Sequence, residues 1–120
     1  MNHVAASVPA GTRFFDTSAS PSNAARWTEN SLAVVEQLLP LAEARHVPLS
    51  QFALAWLLHQ LGVTSPIVGP RTMEQFEDNL KALELKLSAA ELKRIDEIVP
   101  PGSHTSPYYE ADFGPHQHRW

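Results

Sequence analysis

The chain contains no cysteine. A disulfide framework and a thiolate metal site are therefore both excluded, and the composition fits a reducing compartment. No cluster of Lys and Arg stands out, and the formal net charge at pH 7 is −4, which argues against nucleic acid as a partner. No apolar run approaches the length of a membrane span, and no charged n-region precedes an apolar h-region at the N-terminus. These absences lead to the expectation of a cytoplasmic protein with neither a membrane nor a nucleic-acid partner. Internal repeats, low-complexity tracts and carboxylate pairs placed for acid–base work are missing as well.

Proline is plentiful by contrast, with 10 in 120 residues, gathered at the two ends and at turns. Residues 1–29 read as an irregular segment. Pro9-Ala10-Gly11-Thr12 is turn chemistry, Ser18 to Asn23 is loop-forming around Pro21, and Phe14, Phe15 and Trp27 follow no period. From Ser31 to about His46, Leu32, Val35, Leu38, Leu39 and Ala42 recur at three and four, which predicts a helix with Asn30 as its N-cap. Pro40 falls inside it and should kink or split it. A second helix starts near Pro48. Leu49, Phe52, Ala53, Trp56 and Leu57 form its stripe, and Leu54, Ala55 and Leu58 fill much of the other face, so burial on most sides is expected. Gly62 reads as its C-cap.

The stretch Thr64–Asn79 carries the chemistry. Val63 to Gly69, with Ile67 and Val68 at its centre, predicts a short buried strand, Gly69-Pro70 a tight turn, and Thr72 to about Leu80 a helix. Thr72 is a good N-cap and Gln75 completes a capping box. Strand, glycine turn and helix N-terminus together make an anion site, since free N–H groups and the positive helix end face one point. Arg71 brings a guanidinium suited to bidentate phosphate binding. Gln75 and Asn79, four apart, share one helical face. Taken alone, these residues also fit a solvated helix start.

Beyond this stretch, Leu83, Leu85 and Leu87 alternate with Glu84 and Lys86 at the period of a second strand. Ser88-Ala89-Ala90-Glu91 is a capping box opening a helix with Leu92, Ile95, Ile98 and Val99, stopped by Pro100-Pro101-Gly102. Helix, strand, helix, strand, helix with short links implies a parallel α/β sheet. Residues 103–120 form a tail with Tyr108, Tyr109, Phe113 and Trp120, rings that need a surface to cover. His116 and His118 lack a third ligand, so no metal is assigned. His59 and His104 read as surface residues, and Phe52 and Trp56 as core.

The run Phe52-Ala53-Leu54-Ala55-Trp56-Leu57-Leu58, then Val63 to Thr72, Gln75-Phe76-Glu77-Asp78-Asn79 and Leu87 to Leu92, resembles the C-terminal part of an aldo-keto reductase. Similarity runs from about Asn30 onward and extends into the tail from Ser106 to Trp120. The resemblance implies a (β/α)₈ barrel that binds NADP(H) without a Rossmann domain and reduces aldehydes or ketones by hydride transfer. It assigns Ile67 and Val68 to the seventh barrel strand and the Leu85 region to the eighth. By the same match Gly69 allows close backbone approach, Arg71 pairs with the 2′-phosphate, Gln75 supports phosphate or ribose, and Asn79 faces the adenine edge. Barrel enzymes bind ligands at the C-terminal ends of their strands, often with phosphate late in the barrel.

A full barrel needs roughly 250 residues, more than twice this chain. The family's catalytic Asp, Tyr, Lys and His lie on earlier strands. Tyr108, Tyr109, Lys81, Lys86 and Lys93 match none of those positions, so no catalytic residue is assigned. Met1 falls in what would be the loop after the sixth strand, as in a truncated, mispredicted or split reading frame. The expectation is an incomplete barrel over residues 30–102, holding the adenosine-phosphate half of the cofactor site and inactive alone. Its expected partners are NADP(H) and either a separately encoded N-terminal half or a second copy. The alternative is a non-catalytic α/β module, derived from that barrel, that binds a nucleotide or a partner.

Overall fold

A computed structural model describes residues 28–103 and Thr105. They contain four helices: α1 (Glu29–Ala44), α2 (Leu49–Leu58), α3 (Met73–Lys81) and α4 (Ala89–Ile98). The chain divides into two compact units, Gln37–Pro100 and a second that takes in the described residues 28–36, 101–103 and 105.

In this second unit the start of α1 is fixed locally. The Ser31 amide donates to Thr28 Oγ1 at 3.0 Å, so Thr28 is the cap, two residues before the expected Asn30. Asn30 lies in the first turn, where its Nδ2 donates to the Thr105 carbonyl at 3.2 Å. The hydroxyl of Thr28 donates to the same oxygen at 3.3 Å. Pro40 does not split α1, which runs unbroken through it. Its missing N–H would have bonded Glu36, and both residues are exposed, so water can serve the freed carbonyl.

The unit Gln37–Pro100 is built on a small core. Ala42 of α1, Phe52 and Ala55 of α2, Leu87 just ahead of α4 and Ile95 within it are buried together, with Leu38, Leu41, Trp56 and Leu92 packed around them. Trp56 and Phe52 are thus core residues, as their apolar neighbours indicated. α1 closes with His46 at φ 55. The His46 amide donates to the Glu43 carbonyl at 2.9 Å and the Val47 amide to the Ala42 carbonyl at 3.2 Å. This is the paired bonding of a Schellman end, with histidine where glycine is usual and Val47 turned into the core. Gly62 does not cap α2. The cap is His59, and Gly62 takes its positive φ of 90 in the turn beyond.

Neither expected strand forms: the described residues contain no β-strand. A strand is held by main-chain bonds to a neighbour, and a sheet of two strands is marginal even when paired. Around Leu83–Leu85 the chain takes local bonds instead. Successive amides from Leu83 to Leu85 donate to the carbonyls of Leu80, Lys81 and Ala82 at 3.0, 3.1 and 3.3 Å, prolonging α3 as tight turns. The expected parallel α/β sheet is therefore replaced, in this chain, by packed helices and turns.

Two polar ties close the unit. Arg45 Nη1 bonds both Glu91 oxygens at 3.1 Å, and Nη2 donates to the Lys86 carbonyl at 2.9 Å. Glu91 also accepts from the Ser88 amide at 2.7 Å, completing the expected capping box. His59, expected at the surface, is the second tie and is half-buried. Its Nδ1 meets the Ala55 carbonyl at 2.7 Å and its Nε2 meets the Leu87 amide at 3.3 Å. A carbonyl can only accept and an amide can only donate, so the ring is the neutral Nδ1–H tautomer.

The Ser88 amide, with Arg45 beside it, holds the Glu91 carboxyl below its ordinary value of 4.5. The folded chain thus binds fewer protons there than the unfolded chain. The stabilisation is complete above about pH 4.5 and is lost as pH falls through the lowered value. Urea titrations at stepped pH should show this loss, and Glu91→Gln should flatten that part of the profile. His46→Gly should raise stability by about 1 kcal/mol, because it removes the left-handed penalty without touching the core. A fall in midpoint for that variant would count against the Schellman assignment.

Candidate functional site

The loop from Val63 to Arg71 leads into α3, and its end is set by two side chains. Thr72 Oγ1 accepts from the Gln75 amide at 3.2 Å, as its N-cap role requires. Gln75 does not complete a capping box on Thr72. Its Oε1 accepts from the Arg71 amide at 2.8 Å, one residue further back. The glutamine therefore ties the turn itself to the helix. Main-chain bonding continues with the Phe76 amide on the Thr72 carbonyl at 3.1 Å. Of the first-turn amides, those of Met73 and Glu74 remain for an anion.

Gly69, Gln75 and Asn79 line one open groove of about 430 Å³, together with Ser50, Leu54, Val68, Pro70 and Asp78. Three of the four residues singled out in the sequence thus share a surface. Arg71 stands in the turn above the helix and is exposed, outside the groove lining. A methyl group added at Gly69 would meet open space, so no protein atom demands glycine there and the space beside it is available to a ligand.

The groove has two polar members that the sequence reading missed. Asp78 follows from helical spacing, being three residues after Gln75. Ser50 belongs to α2, and no local pattern ties it to this turn. The Asp78 carboxylate would oppose an anion, but it is hydrogen-bonded to Lys81 Nζ at 2.7 Å. That bond holds the Lys81 ammonium above its ordinary value, so the two charges largely offset each other. Beside this groove lies a second cavity of about 250 Å³, lined by Leu54, Leu58, Val68, Phe76, Leu80 and Leu83 among others. It is mainly apolar, with the hydroxyls of Thr64 and Ser65 and the Asn79 amide as its polar members, and it contains no acid or base.

Among the described residues no group of three or more His, Asp or Glu is placed to hold a metal, and no helix is long and apolar enough to cross a membrane. Tyr108, Tyr109, Phe113, His104, His116 and His118 lie outside the described residues, as do Phe14, Phe15 and Trp27.

The sequence model of the Aldo/keto reductase family matches residues 4–100. The chain belongs to that family. Over 58 residues it is 45% identical to the uncharacterized oxidoreductase YrpG of Bacillus subtilis, a stretch equal to 48% of this chain and 18% of that protein. Over 76 residues it is 40% identical to L-glyceraldehyde 3-phosphate reductase of Escherichia coli O157:H7, covering 62% of this chain and 22% of the relative. Norsolorinic acid reductase stcV of Emericella nidulans is 36% identical over 64 residues, which is 53% of this chain and 16% of that protein. The chain spans about a fifth of the length of these curated relatives.

Thr72→Ala should remove the cap of α3 and cost about 1 kcal/mol locally. Amide hydrogen exchange should quicken through Met73–Lys81 while Phe52 and Ala55 keep their protection. Uniform quickening across all helices would mean that α3 is not a separately opening element.

Proposed function

We propose that this chain supplies the adenosine-phosphate end of an NADP(H) site in an aldo-keto reductase. Hydride transfer to an aldehyde or ketone then requires the rest of a (β/α)₈ barrel. The observation that carries the reading is the groove at the start of α3, where Gly69, Gln75 and Asn79 meet beneath the Arg71 turn. The donor chemistry fits a phosphorylated ligand. Gly69 leaves room for it, the Met73 and Glu74 amides face an anion, and Arg71 supplies the charge that a 2′-phosphate needs. Asn79 offers an amide to the adenine edge.

When bound, the cofactor supplies the hydride. This chain's residues hold and orient its distant end, and proton transfer to the carbonyl oxygen falls to groups on the earlier barrel strands. The incomplete barrel and the cytoplasmic location belong to the same proposal. The other reading, a non-catalytic module that binds a partner, draws support from exposed apolar side chains, with Met73 70% and Leu83 59% accessible.

Calorimetric titration of the full chain with 2′-phospho-ADP-ribose and with ADP-ribose tests the assignment. Hydrogen bonds to a charged group are worth about 1.5–3 kcal/mol, so Arg71→Ala should weaken the phosphorylated ligand on the order of ten- to a hundredfold. Binding of ADP-ribose should be unchanged. Equal affinity of the unaltered chain for the two ligands would remove the phosphate role from Arg71. NADPH-dependent turnover of an aldehyde by the purified chain would overturn the need for a completed barrel.

A further inference from the structure

His59 is the C-cap of α2, and its ring folds back along its own helix. The Ala55 carbonyl receives both the His59 amide, at 3.2 Å, and Nδ1–H, at 2.7 Å. The far nitrogen, Nε2, reaches across to the Leu87 amide at 3.3 Å, 28 residues further along the chain. Leu87 is 7% accessible, and its amide has no other acceptor among the described residues. A buried N–H therefore depends on the lone pair of one titratable ring.

Histidine is the side chain whose charge changes near neutral pH. Neutral, this ring donates at Nδ1 and accepts at Nε2. Protonated, it donates at both nitrogens, and Nε2–H is set against the Leu87 N–H. The two bonds do not fail together. Nδ1–H can bond Ala55 in either state, and the negative end of α2 favours a positive ring. The proton is thus accommodated on the α2 side while the Leu87 bond is given up. Charged neighbours leave this asymmetry in place. α2 itself carries no charged residue. The segment between α3 and α4 carries Glu84 and Lys86, of opposite sign and both exposed. At its two ends, Lys81 is paired with Asp78 and Glu91 with Arg45.

We propose that His59 is a proton-operated latch between α2 and the segment that joins α3 to α4. With the ring neutral the latch is closed on the Leu87 amide, and with the ring charged it is open. Opening frees the main chain at Leu87 without undocking α4, because Ile95 stays in the core and Arg45 keeps its hold on Glu91. The latch acts above the range in which Glu91 takes up its proton, so the two effects of pH separate. The inference stands independently of the nucleotide reading, since no groove residue takes part in it.

Amide hydrogen exchange of the whole chain, followed by NMR from about pH 8 to about pH 5, tests the latch. Relative to the intrinsic rate, exchange at Leu87 should quicken on the order of tenfold as the pH falls, because a buried donor loses its acceptor. Phe52 and Ile95 should keep their protection throughout. His59→Gln carries an oxygen that can accept but does not titrate, so exchange at Leu87 should then be independent of pH. Nitrogen shifts of the unaltered ring should report Nδ1–H at the upper end of the range. Protection at Leu87 that ignores pH in the unaltered chain would overturn the proposal. So would an equal fall in His59→Gln, a fall shared by Phe52 and Ile95, or a ring protonated at Nε2 alone.

Discussion

Burial of the Phe52 ring is the contact on which the unit Gln37–Pro100 depends. It is 2% accessible, and Ala42 and Ala55 beside it are at 1% and 0%. Two alanines let helices approach closely, and the single large ring fills the space left between them, so three helices close on a very small core. Everything else in the unit is attached to that point. Leu87 and Ile95 bring in the last helix, and the Arg45–Glu91 and His59–Leu87 ties fix its angle with polar bonds where apolar area is short. α3 is the more exposed element: it has no buried residue, and it keeps its place by packing against α2 as well as through its cap and the loop that feeds it.

That division has a functional sense. The groove proposed for the cofactor phosphate belongs to the lightly packed part of the unit, whereas the core lies on the other side of α2. A site formed by a loop and a helix start can adjust to a ligand without disturbing Phe52. Family membership rests on residues 4–100, while the relatives extend far beyond the aligned stretch.

Helix positions and most caps could be read from the chain because their causes are local. The Ser88–Glu91 box, the Thr72 cap and the spacing of Phe52, Ala55 and Trp56 involve residues within a turn or two of one another. Gln75 and Asn79 were brought to one groove by the same logic. Strands were misread for the opposite reason. The alternation of Leu83, Leu85 and Leu87 has the period of a strand, but a strand needs the main chain of a neighbour, and among the described residues none provides it. His59 looked like a surface residue because its second partner, Leu87, is 28 positions away. Ser50 escaped notice likewise, being a wall of the groove supplied by a different helix.

The bond between the Arg71 amide and Gln75 Oε1 also fixes the polarity of that side chain. With one lone pair of its oxygen taken by the main chain, the carboxamide has two donors and only one acceptor position left to offer. A phosphate oxygen or a ribose oxygen suits so donor-rich a group better than an ammonium or a metal ion does. The turn thus leans toward anions through one uncharged amide, before the charge of Arg71 is counted.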